Sequence, residues 1–271
     1  MRYSVLAVVC IFLASCGVSI SQPDLISLKN SAGNGGGGTP PATGSPIFVS
    51  KISAGLASAN PVTLLNSVLD TTLGSPNLIV ACVATYDTVG GGGTASTTFS
   101  DSLNNTWQSL PLQHTNAAPV NLQMYYAFNP SLSANQTFNA NGGNGFASMA
   151  VMTFSGVAGT FDQHKGASTT STLFAQPGAI TAPNTPALFV TCIGGDSQTP
   201  WTSVGVDSGF TIPNGISQTA GAGGSPEEIS AAYLIDSSGS SINPKWTIAG
   251  ESDGGLVPST VGFATVMATF L

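Results

Sequence analysis

Short apolar runs, each closed by Gly, Pro, Asn or Ser, recur through most of this chain, and they constrain its fold more than any other feature. β-Branched content, or alternation of apolar and polar side chains, predicts that the clearest runs are strands. These runs are residues 77–86, 120–128, 146–155, 187–193, 229–236 and 261–271. Shorter strands are predicted at residues 46–52, 106–112, 136–140, 210–212 and 245–249.

No stretch of the sequence combines a helical period of apolar residues with capping residues at its ends. At most, residues 226–229 are expected to make a short turn. Many short strands with regularly spaced turn signals predict an all-β protein, an antiparallel two-sheet β-sandwich of jelly-roll type. Residues 46–271 would form this domain; their number suits one large β-domain or two small ones, and we predict a single sandwich.

Two of the apolar runs resemble one another. Residues 77–83 and 186–193 carry a cysteine, Cys82 or Cys192, at the same place, and each run closes near an aspartate. They would be equivalent strands in two halves of a sandwich if the chain contained a repeat. Buried central strands share this composition in any case, so we attribute the likeness to burial.

Three short motifs resemble those of a recurrent bacterial surface domain. They read DSLNNTW at 101–107, MYYA at 124–127 and MTFSGV at 152–157. In that domain type an Asp-Ser hairpin precedes two such strands, and an apolar strand closes the chain. The resemblance implies a jelly-roll or concanavalin-like sandwich of the kind found in secreted and cell-wall-associated proteins, mostly of unassigned function, and it points to no particular active site. Here Asn105 stands where the pattern has Gly, and Asn tolerates the left-handed turn geometry.

The N-terminus is typical of a secretory signal. Arg2 precedes an apolar run that ends in Leu13-Ala14-Ser15-Cys16, and the run is too short to span a bilayer. This tetrapeptide resembles the lipobox of bacterial lipoproteins. The resemblance implies that residues 1–15 are removed, that Cys16 is lipidated, and that the membrane is a partner through that lipid. Gly17 at the next position, rather than Asp, favours the outer membrane if the host is Gram-negative.

The segment from residue 16 to 45 has the composition of a tether. It contains the run Asn34-Gly-Gly-Gly-Gly-Thr-Pro-Pro41, which combines flexible residues with residues that favour polyproline II. The interpretation is a folded domain held away from a membrane.

The charge composition excludes several classes of partner. The chain has a net charge of −7, and its cations other than Arg2 are Lys29, Lys51, Lys165 and Lys245. Nucleic acid binding needs clustered cations, so we expect no nucleic acid partner. Docking of a basic patch on anionic lipid is disfavoured for the same reason.

Two cysteines remain once Cys10 is removed with the signal and Cys16 is lipidated. Outside the inner membrane Cys82 and Cys192 can pair. Each also lies in an apolar run, where a free thiol behaves as a small hydrophobe. Sequence alone leaves both alternatives open, because it does not give the Cα separation that a bridge requires.

Candidate binding residues are aromatic or acidic. Sugars stack on flat aromatic faces, and Trp201, in a loop-like context, and Trp107 are the candidates for a glycan platform. Calcium takes carboxylate and amide oxygens, so a structural Ca²⁺ site is possible at Asp101, Asn104 and Asn105, or at Glu251 and Asp253. No other cofactor is expected.

Catalytic signals are weak. Gly195-Asp196-Ser197 resembles the nucleophile block of SGNH-type esterases, but no histidine follows His164, and a β-turn explains it better. Both histidines are expected in loops. We therefore predict a non-enzymatic envelope lipoprotein, with the β-sandwich as a binding or adhesion module for a glycan or a surface protein. A purely structural envelope component, or a hydrolase of esters or glycans, is the alternative.

Overall fold

The structure is a computed structural model of the 271-residue chain. It describes residues 44–56, 62–65, 75–86, 97–115, 120–141, 147–170, 174–196, 201–220, 227–249 and 262–271. The predicted signal, Cys16 and almost all of the predicted tether lie outside these residues. Residues from Pro41 to Leu271 form one compact unit.

The described residues form nineteen β-strands and no helix. In chain order the strands are β1 (Ile47–Leu56), β2 (Val62–Leu65), β3 (Leu78–Tyr86), β4 (Thr98–Asp101), β5 (Gln108–Ser109), β6 (Gln113–His114), β7 (Val120–Phe128), β8 (Thr137–Asn141), β9 (Ala147–Ser155), β10 (Phe161–Thr170), β11 (Phe174–Ala175), β12 (Ile180–Thr181), β13 (Ala187–Asp196), β14 (Ser203–Val206), β15 (Gln218–Ala220), β16 (Glu227–Asp236), β17 (Ser241–Ile242), β18 (Trp246–Ala249) and β19 (Gly262–Phe270).

Two large antiparallel sheets dominate the fold. Sheet A has the strand order β1-β9-β3-β7-β5, with β6 also paired to β7, and sheet B has the order β10-β19-β13-β16-β15. Every ladder within them is antiparallel. The two sheets share one apolar core, which contains alternate residues of β3, β7 and β9 from sheet A and of β13, β16 and β19 from sheet B. The all-β, antiparallel sandwich prediction is confirmed at this level.

Three smaller sheets accompany the large ones. Outer sheet A, with the order β2-β8-β4, lies on the outer face of sheet A, where Phe138 and Ala140 pack against Ile79, Ala81 and Val83. Outer sheet B, with the order β11-β18-β14, covers sheet B through Trp246 and Ile248. The pair β12-β17 adds Ile180 and Ile242 to the same cluster. The central strands are therefore buried on both faces, which explains their nearly continuous apolar sequences.

The six longest predicted strands are present as β3, β7, β9, β13, β16 and β19. The turn expected at residues 226–229 is wrong, because β16 already begins at Glu227. Strand β10 was not predicted: its sequence, FDQHKGASTT, is half-buried or exposed throughout and has no apolar periodicity. It forms because β19 supplies a complete antiparallel ladder for it. The described part of the chain contains no apolar helix of membrane-spanning length.

Candidate functional site

Asp101 organises the turn that precedes Trp107. Its buried carboxylate, 6% exposed, accepts hydrogen bonds from the backbone N–H groups of Leu103 and Asn105 at 2.8 and 3.3 Å. It also accepts bonds from Asn105 Nδ2 at 3.0 Å and from the Trp107 indole at 2.7 Å. The left-handed residue of this turn is Asn104, with φ 56°, so the expectation that Asn105 takes that geometry is wrong. The Asp-Ser motif is thus a hydrogen-bonded structural turn.

These contacts bear on two of the predicted sites. The Trp107 ring is half-buried and packs edge-on against Phe99 at 4.6 Å between centroids, so it belongs to the cover of sheet A. Asn105 Oδ1 accepts a hydrogen bond from the Ser131 N–H, and Asn105 Nδ2 donates to the Asp101 carboxylate, so the side chain is bound within the loop. The calcium site at Asp101, Asn104 and Asn105 stays a prediction. In the structure the Asp101 carboxylate already accepts hydrogen bonds from N–H groups of the protein. Within the described residues no cluster of His, Cys, Asp and Glu is suited to a metal ion.

Trp201 lies at the rim of outer sheet B, two residues before β14. Its half-buried ring has its centroid 6.1 Å from that of Phe263, and a Cβ at Gly195 would come within 2.5 Å of its Cζ2 atom. Its backbone N–H donates to Oε1 of the buried Glu228 at 2.5 Å. The indole N–H is buried and meets no acceptor among the described residues. Much of this ring is packing surface, so it offers only part of its area to a ligand.

Other sequence candidates fall on strands or outside the description. Gly195 and Asp196 pair with Glu228 and Glu227 inside sheet B, so the β-turn expected there is wrong as far as Asp196. Ser197, Glu251, Asp253 and Cys16 lie outside the described residues, as does the side chain of Asp196.

The two histidines are strand residues, not loop residues. His114 lies in β6 and its Nδ1 is 2.7 Å from Oδ1 of Asn121, whereas His164 lies in β10 beside Phe161. Each histidine thus contacts a neighbouring side chain. The strands that carry the histidines are short or polar, so no periodic pattern marks them in the sequence.

Cys82 and Cys192 are joined by a disulfide across the central core. Both are fully buried, and their Cα atoms are 6.5 Å apart, within the range that disulfides span. The bridge links β3 of sheet A to β13 of sheet B, over 110 residues of sequence. It is a structural cross-link between the two large sheets.

A small crevice opens where outer sheet B meets the edge of sheet B. Its volume is about 90 Å³, and it is lined by Ala167, Ser168, Thr169, Phe174, Ala175, Gln176 and Thr265. Phe174 is 44% exposed, which is unusual for a large aromatic ring. Lys245 holds its ammonium 4.4 Å from the centroid of that ring. We call these residues, with Lys245, the Phe174 crevice.

Sequence reasoning did not single out the Phe174 crevice. Phe174 is an isolated aromatic in a polar stretch, and the hydroxyl-bearing residues beside it come from β10, a strand that the sequence did not predict. Thr265 comes from β19, almost a hundred residues away. Only the fold brings these groups together.

Comparison of the chain with protein-family models, with curated proteins and with solved structures finds no match. The case for a function therefore depends on the geometry of the molecule itself.

Proposed function

We propose that this chain is a lipid-anchored protein of the cell envelope whose β-sandwich binds a glycan without catalysing a reaction. The observation that carries the glycan part is the Phe174 crevice, where an exposed aromatic ring borders a small, mainly apolar cavity whose lining also includes hydroxyl and amide groups. Among the described residues, its lining contains no carboxylate, histidine or cysteine, and hydrolysis of a glycan needs a pair of such acid and base groups.

The chemistry of the crevice suits the edge of a sugar polymer. Ser168, Thr169 and Gln176 carry hydroxyl and amide groups, which match sugar hydroxyls. The hydroxyl of Thr265 is fully buried and donates to the carbonyl of Ala167 at 3.3 Å, so this residue only forms the floor of the crevice. Ala167 and Ala175 add an apolar lining. A cavity of about 90 Å³ is far below the several hundred Å³ of a pocket that encloses a whole ligand. It fits one substituent, such as an acetamido group, while the ring of the sugar contacts Phe174.

Charge supports a neutral ligand. The chain carries −7 overall, and long-range attraction of a polyanion would need a field of the opposite sign. Lys245 already lies over the Phe174 ring as a cation–π partner. Recognition through short-range stacking and hydrogen bonds is therefore the mode that this composition favours.

Affinity electrophoresis in gels with glycol chitin, an N-acetylated neutral polymer, tests the proposal, and hydroxyethylcellulose gels show whether the N-acetyl group matters. Wild-type protein is expected to be retarded by glycol chitin. Phe174→Ala removes the ring contact, and a loss of about 1.4 kcal/mol would weaken binding about tenfold. Ile47→Ala is the matched control, because Ile47 is 47% exposed and lies in β1, outside the crevice.

The other outcomes contradict the proposal. Retardation that survives Phe174→Ala but is lost in a folded Trp201→Ala variant would move the site to Trp201. Protein that neither polymer retards would favour the purely structural envelope component. Circular dichroism of each variant shows whether a lost shift reflects binding or unfolding.

The anchor is a separate part of the proposal, supported by the resemblance of Leu13-Ala14-Ser15-Cys16 to a lipobox. Two or more acyl chains hold a protein stably at a membrane, so Cys16→Ser is expected to shift the protein from the detergent phase to the aqueous phase. Mass spectrometry of the natural N-terminus would contradict the anchor if it found an unmodified Cys16 thiol.

We also propose jelly-roll topology, for each half of the chain separately, whereas the sequence predicted one jelly-roll sandwich over residues 46–271. Support comes from the strand order of each large sheet and its outer sheet, which is the same in residues 44–157 and in residues 158–271.

A further inference from the structure

Residues 44–157, here the first half, and residues 158–271, the second half, build their sheets in the same order. We number the strands of each half from one to eight in chain order, counting β5 and β6 together as the fifth strand and leaving out β12 and β17. With this numbering, the strand order of sheet A and of sheet B is the same: first, eighth, third, sixth, fifth. Outer sheets A and B both read second, seventh, fourth. This is the arrangement of a jelly roll, except that the fifth strand pairs with the large sheet. Each described ladder joins strands of one half only.

The strand registers agree as well as the order. In sheet A, Leu78 faces Phe154 and Phe128, and in sheet B, Leu188 faces Phe270 and Ile235. In this alignment Cys82 matches Cys192, because each lies four residues after its leucine.

The irregularities of the first strands agree too. Strand β1 has a register shift between Phe48 and Ser50, and β10 has one between Phe161 and Gln163. In each half the shift directly follows a pair of phenylalanines from the first and eighth strands, which is Phe48 with Phe154 or Phe161 with Phe270. β-Bulges are specific local features, so this coincidence is strong evidence for a common origin.

Contacts between the halves are reciprocal. Phe48 of the first half stacks on Tyr233 of the second at 4.8 Å, and its counterpart Phe161 stacks on Tyr126, the counterpart of Tyr233, at 5.2 Å. Reciprocal contacts of this kind define an interface with two-fold symmetry. The disulfide joins a residue to its own counterpart, which places it on the two-fold axis.

We infer that the chain is a tandem repeat: two copies of one jelly-roll unit, packed through their large sheets as a two-fold dimer packs, within a single polypeptide. Each half covers an edge of the other. Ser53 of β1 bonds the carbonyl of Gly215 at 3.0 Å, while Gly166, the counterpart of Ser53 on β10, lies against the Gln113 side chain. The likeness of the two cysteine-bearing runs thus reflects a repeat, and burial alone does not explain it.

The repeat also shows where the copies differ. Phe174 lies opposite Thr247, and the matching place in the first half is Thr63, opposite Asn139. Thr247 thus matches Asn139, so Lys245, two residues before Thr247, matches Thr137. The aromatic ring and the cation of the Phe174 crevice therefore belong to the second copy alone. The proposed glycan site therefore lies in the second copy only. The evidence for the repeat does not depend on the proposed function.

Refolding of the full chain after cleavage tests the repeat. A protease site is inserted at Ala158-Gly159, an exposed link between the copies, and in a matched protein at Ala134-Asn135, an exposed turn within the first copy. Each protein is cleaved after folding, with its disulfide intact, and is then unfolded in urea and refolded. Cleavage between the copies is expected to leave the yield of native protein unchanged, while cleavage within a copy lowers it.

Two results would overturn the inference. One is a loss of refolding after cleavage at Ala158-Gly159 when the uncleaved insertion protein refolds normally. The other is a crystal structure in which the second half does not superpose on the first with Leu188 on Leu78. Since neither measurement involves a glycan, failure of the repeat is distinguishable from failure of the proposed function.

Discussion

Asp101 shows how one residue fixes a local structure here. Its carboxylate accepts four hydrogen bonds from a single turn and from the indole of Trp107. No ammonium or guanidinium group contributes to these bonds, so the negative charge is stabilised by N–H dipoles alone. The side chain thereby connects the turn after β4 to the aromatic cover of sheet A.

Asp101→Asn is expected to lower the free energy of unfolding by about 2 kcal/mol, because hydrogen bonds to a charged acceptor contribute more than those to a neutral one. Urea unfolding measures the change. Asp207→Asn is the control: this exposed aspartate directly follows β14 of outer sheet B, and its carboxylate accepts fewer bonds, from Ser208 Oγ and the Lys245 N–H. An Asp101→Asn protein as stable as wild type would contradict the structural role.

Burial raises the pKa of Tyr126 and of Tyr233, its counterpart in the second copy, above 10.0. The folded chain therefore keeps these phenol protons at a pH where the unfolded chain loses them. The contribution of these two tyrosines to the free energy of unfolding should be fully present below pH 10.0. It should be lost as the pH rises from that value through their raised pKa in the folded chain.

The urea midpoint, measured on both sides of pH 10.0, checks this dependence. Tyr126→Phe and Tyr233→Phe should each reduce the alkaline loss of stability, and the double variant should reduce it further. Burial also raises the pKa of Tyr125, against a smaller opposite effect of its hydrogen bond with Thr97, so some dependence remains. An unchanged slope in the double variant would contradict the prediction.

At the scale of elements, the disulfide links the third strand of one copy to the third strand of the other. It closes a loop of 110 residues, and loops of about 100 residues correspond to about 4.7 kcal/mol of stabilisation in the chain-entropy model. A Cys82→Ala/Cys192→Ala protein is expected to lose stability of that order in urea unfolding and to remain all-β by circular dichroism. A protein that loses its strands entirely would show that the packed sheets depend on the bridge.

Sequence predicts some elements well and others poorly, for physical reasons. Central strands such as β3 and β13 are buried on both faces, so their apolar runs stand out and their bounds were nearly correct. Edge and outer strands gain their stability from the ladder they join. For that reason β10 was missed, and the predicted strand at residues 106–112 shortened to Gln108–Ser109.

The candidate site was less predictable than the fold. Tryptophan type and loop context pointed to Trp201 and Trp107, but both rings pack against neighbouring phenylalanines. The Phe174 crevice depends on a contact between two sheets, and its lining residues come from three separate stretches of the chain. No local pattern encodes that proximity.

At the scale of the whole molecule, the two large sheets face each other and the outer sheets cover them. Only 6% of the residues are charged, so hydroxyl and amide groups are the main polar groups that the chain can offer to a ligand. Both copies share one scaffold, and we propose that only the second copy carries a glycan site.

Hydrogen exchange of the full-length chain, with and without N-acetylglucosamine oligosaccharides, is the decisive test of a glycan site in the second copy alone. Exchange is expected to slow at Ala167–Thr169 and at Phe174–Gln176, which line the crevice, and to stay unchanged at the matching strands β1 and β2 of the first copy. Slower exchange in the first copy instead, or no change anywhere at saturating oligosaccharide, would contradict it.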